Sequence, residues 1–340
     1  NNLKKHTIMK KILFAAVAAM AITGCSQNEE IEKAAQPVEI GFGTIVKTTT
    51  RAVVTNKANL GDFKVHSYIT GATYDGTALG DAYMNGVLYK TSDNLTWTKD
   101  AGDTKTYYWP SASDKSVQFF AYPSTLVTDF SAPATGYPSF TYTVATKVSD
   151  QKDLVVAHEQ NKTATSEGVN NGSLTLGFKH ILSRINFAYV PGASDLTYTV
   201  SAIKIADITG GKAKYSFDAV NGQWDLTDGT SQEYAYTVKQ SSTLVTDKNY
   251  YLLGDESASL MLLPQDVAGK VITVTYESKD ASDVIVFSGN KTVTLPANSK
   301  WEVGQNVLYI LTLPAGGTEM TVVPAVSDWG NTDDKENDAK

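Results

Sequence analysis

The stretch SLTLGFKHILSRINFAYV, from Ser173 to Val190, changes the parity of its apolar residues partway along. Leu174, Leu176 and Phe178 hold even positions, whereas Ile181, Ile185, Phe187 and Tyr189 hold odd ones. Strand side chains alternate between faces with a period of two, so one continuous strand cannot bury both sets on one face. A bulge accounts for the change locally. A crossing of the chain from one sandwich to the next accounts for it better, and places a join near Phe178–Leu182.

The rest of the chain reads the same way. Candidate strands include Phe63–Ile69, Lys115–Tyr122, Phe140–Val144, Leu154–Ala157 and Tyr198–Ile205, with Tyr234–Lys239, Ser259–Leu263, Val271–Glu277 and Val307–Leu313 further on. Val284–Ser288 and Lys291–Leu295 read as two separate short strands. Gly, Asn, Asp and Pro bound them, and no amphipathic helical pattern stands out beyond the N-terminus, which predicts an all-β chain of β-sandwiches. With 340 residues, 42% hydrophobic and 19% charged, the chain is globular and long enough for two cores. The expected plan is an N-terminal sandwich over 38–178 and a C-terminal one over 179–327, followed by an acidic tail, 328–340.

Chemistry-bearing patterns are sparse. A net charge of −7 without a basic face argues against nucleic acid as a partner. A single cysteine excludes an intrachain disulfide and a cysteine zinc site. His158-Glu159 begins like HExxH, but Lys162 stands where the second histidine belongs. No nucleophile elbow, phosphate loop or dinucleotide fingerprint is present. His180 and Arg184 read as structural hydrogen-bonders. Tyr107, Tyr108 and Trp109 offer rings for a sugar, though such residues more often plug a sandwich. No enzyme, metal or cofactor is expected.

Two terminal segments carry more information. MKKILFAAVAAMAITGCSQNEE, from Met9, has a basic start at Lys10-Lys11 and an apolar run, Ile12–Ile22, too short to span a bilayer. Ile22-Thr23-Gly24-Cys25 resembles the lipobox of bacterial lipoproteins. That resemblance implies a signal peptide over 9–25, export by the lipoprotein machinery and acylation of Cys25, which would anchor the chain in the outer membrane. The polar start Ser26–Glu30 is similar to the tether of surface lipoproteins of the Bacteroidetes, and 26–37 reads as a flexible linker. Residues before Met9 read as upstream translation. Next, Val38, Ile40, Phe42 and Val46 alternate like a half-buried strand. The strand runs into a Lys-Thr-Thr-Thr segment holding Arg51, one of two arginines beside 27 lysines. Near the C-terminus, Met320, Val322, Pro324 and Val326 share one parity, and Pro324 marks an edge strand or an extended arm.

Several of these stretches together resemble the fimbrillin family of pilin-like surface lipoproteins. They are Cys25, Thr50-Arg51, YYWP at Tyr107–Pro110, DLVVA at Asp153–Ala157, LGFKHILSRINF at Leu176–Phe187, LLPQD at Leu262–Asp266, Trp301-x-x-Gly304 and Trp329. The resemblance implies two transthyretin-like sandwiches and a first strand, within 38–51, that an arginine-specific protease removes by cutting Arg51–Ala52. It implies that a strand of a neighbouring subunit then takes the vacated place, with Met320, Val322 and Val326 as the donor residues. Partners would be other fimbrial subunits, and the location the cell-surface fimbrium. Alternatives are a non-polymerising surface lipoprotein that binds glycans or host ligands, and an anchor or tip subunit.

Overall fold

β-branched and aromatic residues in alternation favour pleated, half-buried backbone, and strands dominate. The computed structural model describes residues 36–46, 60–127, 129–218, 222–239, 243–246 and 248–329. In chain order it opens with β1 (Gly41–Val46), β2 (Phe63–Gly71), β3 (Ala82–Lys90), β4 (Thr98–Lys99) and β5 (Lys115–Pro123). There follow β6 (Ser139–Val144), β7 (Val155–Lys162), β8 (Val169–Asn170) and β9 (Ser173–His180). The chain continues with β10 (Ser183–Pro191), β11 (Thr197–Ser216), β12 (Gln223–Asp225), β13 (Thr230–Tyr236), β14 (Thr243–Val245) and β15 (Tyr250–Leu252). The last strands are β16 (Leu260–Leu262), β17 (Val271–Lys279), β18 (Ile285–Thr294), β19 (Gln305–Leu313) and β20 (Thr321–Asp328). Among the described residues there is no α-helix, only two short 3-10 turns.

These strands form three sheets. The first runs β1-β9-β7-β5-β2-β3-β4, with β8 added to β9. The second runs β14-β15-β10-β19-β20, with β16 on β10, and the third is built on the long β11, which pairs with β6, β12, β13 and β17, with β18 beyond β17. The parity change in the sequence falls where the chain leaves β9 in the first sheet and enters β10 in the second. Leu174, Leu176 and Phe178 join one buried cluster, and Ile181, Ile185, Phe187 and Tyr189 join another.

The first sheet lies between these clusters. β5 shows this best, because every residue after Lys115 is buried. Val117, Phe119 and Ala121 face the cluster that also holds Ile40, Phe42 and Trp109. Phe120 and Tyr122 face the other, which continues through Phe140, Tyr215, Leu262 and Tyr309 to Trp329. This larger core draws on strands from both sides of the parity change. β11 spans it too, pairing with β17 over Thr197–Ile205 and with β6 over Gly211–Ser216.

Three readings of the sequence change. Val284–Ser288 and Lys291–Leu295 are one strand, β18, whose Gly289 and Asn290 stay in the ladder opposite Tyr276 and Thr275. Tyr198–Ile205 is only the first part of β11, which bulges and continues to Ser216. β3 had no counterpart, because Asn85 and Gly86 interrupt its alternation; Gly86 adopts φ +67 beside a register shift against β2.

Two core histidines couple the fold to pH. His66 meets the Tyr122 hydroxyl at 3.0 Å and stacks on Phe130. Burial, then the charge on Lys64, lowers its pKa to about 4. His158 stacks on Phe120 with its centroid 4.5 Å away, and burial is the main cause that lowers its pKa to about 4 as well, with Asp218 opposing. Below pH 6.5 the unfolded chain takes up protons that these rings refuse until about pH 4, so stability falls as pH drops through that window. The slope approaches about 1.4 kcal/mol per pH unit for each histidine. Urea titrations of His158→Leu between pH 6.5 and 4.5 are expected to show a shallower pH dependence than the native chain; an unchanged slope would contradict this account.

Candidate functional site

Among the strand edges of the described residues, two carry the sequence candidates: β1 at one end of the first sheet and β20 at one end of the second. β1 lies parallel to β9, in register from Gly41 opposite Ser173 to Val46 opposite Phe178. On its other side, among the described residues, only the residues that lead into it are held. The Ile40 N–H donates to Tyr107 O at 2.8 Å, the Trp109 N–H donates to Val38 O at 2.9 Å, and Glu39 bridges Tyr108. Tyr83 fixes that YYWP segment to β3, its hydroxyl donating to Tyr108 O at 3.0 Å and accepting the Tyr108 N–H at 2.7 Å.

Alternation then decides what β1 buries. Ile40, Phe42 and Thr44 point inward, while Gly41 and Gly43 lie over Ser173 and Thr175. The Phe42 ring, 8% exposed, meets Tyr89 edge-on at 4.9 Å and Phe119 at 5.5 Å. Val38, expected inside, is 42% exposed, because it precedes the ladder and lies beside Trp109. Thr44 takes an inward place that the sequence reading had not assigned, and its buried hydroxyl has no partner among the described residues. The side chain of Val46 lies outside the described residues, as do Cys25, Arg51, Ala52 and the segments 9–25 and 330–340 in full.

Gly172 makes the seat possible. Its carbonyl accepts the Gly41 N–H at 3.2 Å and the Trp109 indole N–H at 2.9 Å. With φ at +84, a Cβ there would lie 2.3 Å from Glu39 O. The Asn171-Gly172 pair carried a turn signal in the sequence, but nothing in it announced a close approach by β1.

The energetics of β1 combine gain and cost. Burial of Ile40 and Phe42 contributes on the order of 1.5–3 kcal/mol each. The orphaned Thr44 hydroxyl opposes this by about 1–3 kcal/mol. Beyond Ile40 the ladder is one-sided among the described residues. Without β1, the β9 backbone, Tyr107 O and the pocket between Tyr89 and Phe119 would all stand open.

β20 is the second edge. It lies antiparallel to β19, with Val322, Pro324 and Val326 opposite Leu311, Tyr309 and Val307. Those partners are buried, yet Val326 is 53% exposed and Val322 only half-buried. Val323, on the other face, is 60% exposed. Met320, just before the strand, is 4% exposed and belongs to the core of its own molecule. Pro324 has no N–H to donate and is tolerated on an edge.

The remaining candidates are structural. Arg184 is buried in β10 and donates from Nε to Ser259 Oγ at 3.0 Å. His158 and Glu159 follow one another in a strand; the ring packs in the larger core while the Glu159 carboxylate accepts the Gly177 N–H at 3.0 Å. Tyr107 and Trp109 are buried. A cleft of about 530 Å³ beside β3 does reach Tyr83 and Tyr107. The Lys105 ammonium already lies over both rings, at 5.0 and 4.9 Å. Burial, then the hydrogen bond to Asp103, raises the Tyr107 hydroxyl to about 12. Among the described residues no group of three or more His, Cys, Asp or Glu could hold a metal ion, and no helix is long and apolar enough to cross a membrane.

A change at Gly172 tests the seat without touching β1. In Gly172→Ala, hydrogen exchange of the Gly41–Val46 amides is expected to accelerate about tenfold or more while β5 stays protected. Equal protection in both proteins would contradict the close approach.

The comparisons with known proteins bear on the family and the fold. A curated relative, fimbrium subunit Fim1C of Phocaeicola vulgatus, is 27% identical, the match covering 96% of this chain and 98% of the relative. The crystal structure of a fimbrial protein from Bacteroides vulgatus superposes with a TM-score of 0.63 at 25% identity, covering 85% of this chain and 99% of that one. A putative cell adhesion protein from Bacteroides uniformis shares the fold, with a TM-score of 0.52 at 18% identity, over 86% of this chain and 99% of that one. These relatives are fimbrial and adhesion proteins, not enzymes. The fimbrillin-like family model matches residues 50–329, and the chain belongs to that family.

Proposed function

We propose that this protein is a structural or accessory subunit of a surface fimbria, assembled by strand replacement and contributing to adhesion. The observation that carries the proposal is the seat of β1, an edge strand anchored by Ile40 and Phe42 over an otherwise complete sheet. Cutting Arg51–Ala52 would turn β1 into a separate peptide. Its departure would leave β9 as a template for another extended segment, for which main-chain hydrogen bonds supply affinity and alternate side chains supply register. The donor is the arm around Met320, Val322 and Val326 of a sister or companion subunit. Cys25 carries the lipid that holds the precursor at the outer membrane before an arginine-specific protease acts. The two-sandwich division at Phe178–Leu182 belongs to the same proposal, with the first sandwich as acceptor.

An anchor subunit would keep β1 in place. The glycan-binding reading finds little support, since of Tyr107, Tyr108 and Trp109 only Tyr108 is exposed.

Treatment of the secreted protein with an arginine-specific protease separates these readings. The expected result is a new N-terminus at Ala52 and ladders on gels that resist mild denaturant, with Arg51→Ala abolishing both. Polymer formed by the uncut variant would contradict the processing step.

A further inference from the structure

β20 is pinned at both ends and nearly bare between them. Met320 before the strand and Trp329 after it are 4% and 6% exposed, whereas Val323, Pro324, Ala325 and Val326 are exposed. Opening the ladder itself would uncover little new apolar area, so its solvent-facing hydrogen bonds contribute few kinetic obstacles. Beside the ladder with β19, the deepest burial that holds the arm on its own molecule lies at its ends.

The dock at the far end is specific. The Trp329 ring lies flat on the His180 ring, with centroids 4.2 Å apart and planes 3° from parallel. The Trp329 N–H donates to Gly304 O at 2.6 Å, and the Gly304 N–H donates to Leu182 O at 3.1 Å. His180 does not yield, because its Nδ1 meets Asp153 Oδ2 at 3.0 Å with both side chains fully buried. The shelf under Trp329 is therefore rigid and lies at the end of β9, two residues beyond the Phe178 that faces Val46 of β1.

One feature distinguishes this tryptophan from the other four in the chain. Trp97, Trp109, Trp224 and Trp301 each donate the indole N–H, to Gly61 O, Gly172 O, Ile181 O and Tyr309 Oη. The Trp329 indole N–H is buried with no partner among the described residues. A buried donor left unpaired gives back part of what burial gains. Four rings are fitted to stay, and the fifth is fitted to leave.

We infer that Trp329 is the latch that keeps the arm folded on its own molecule, and that lifting its ring from His180 frees the arm for another copy. This rests on the strand-donor reading above. It adds an autoinhibitory contact to it: the strand that seats β1 also carries, at its last residue, the shelf that restrains the donor, so acceptor and donor are held by the same strand.

The test is hydrogen exchange on the full, uncut chain, compared with Trp329→Ala and Trp329→Phe. Trp329→Ala is expected to speed exchange of the Thr321–Asp328 amides at least tenfold while β5 and β10 keep their protection. Trp329→Phe retains a ring over His180 and removes the orphaned donor, so its arm is expected to be protected at least as well as the native one. Unchanged protection of the arm in Trp329→Ala, or equal loosening of β5 and β10, would overturn the latch. Cutting after Arg51 then distinguishes the two proposals. If the Ala variant assembles faster than the native chain, both stand. If its arm opens and no copy ever takes it up, the latch stands and the strand-donor reading falls.

Discussion

The one-sided ladder between β1 and β9 is the interaction on which the rest depends. A strand inside a sheet is fixed by hydrogen bonds on both edges, and its loss would take its neighbours with it. β1 is different, because beyond Ile40 its partners among the described residues are β9 and the rings that receive Phe42. Its removal subtracts a strand without breaking the order of the others, from β9 through β5 to β3. A sheet that survives the loss of its edge becomes a template, since an exposed row of unpaired backbone groups invites another chain.

That tolerance has a source in the middle of the molecule. β5 is buried on both faces and lies between two apolar clusters, so most of the first sheet's burial comes from residues other than those of β1. The larger cluster extends under β10, β17 and β19 to Trp329, which ties the arm's dock to the same core. The proposed exchange asks for such a combination, since segments that change partners come from the low-stability end of a fold.

The sequence made the all-β class legible, because alternation is a local property and most strands show it without help from their neighbours. It also marked the place where the chain passes between sheets, since a change of parity has few other causes. The inward places of Ile40 and Phe42 followed from the same rule. Contacts made across long sequence separations were not legible. Nothing near residue 40 announces that Gly172 must lack a side chain for Glu39 to pass, or that Tyr83 clamps the segment over β1. β3 escaped notice because Gly86 breaks its pattern at a bulge, and Val38 was placed inside because alternation says where a side chain points but not where a ladder begins. The stack of Trp329 on His180 joins residues 149 positions apart, and only the folded chain brings them together.

The central claim is that the place of β1 is filled by a strand of another molecule once β1 has gone. A photoreactive residue in place of Thr175, which lies beneath Gly43 on the outer side of the ladder, reports the occupant directly. Before cleavage it is expected to cross-link to Gly41–Val46 of its own chain. After cleavage at Arg51 and assembly, it is expected to cross-link to residues 320–328 of a second copy or to the matching arm of a companion subunit. Cross-links that stay with Gly41–Val46 in the assembled material would contradict the account.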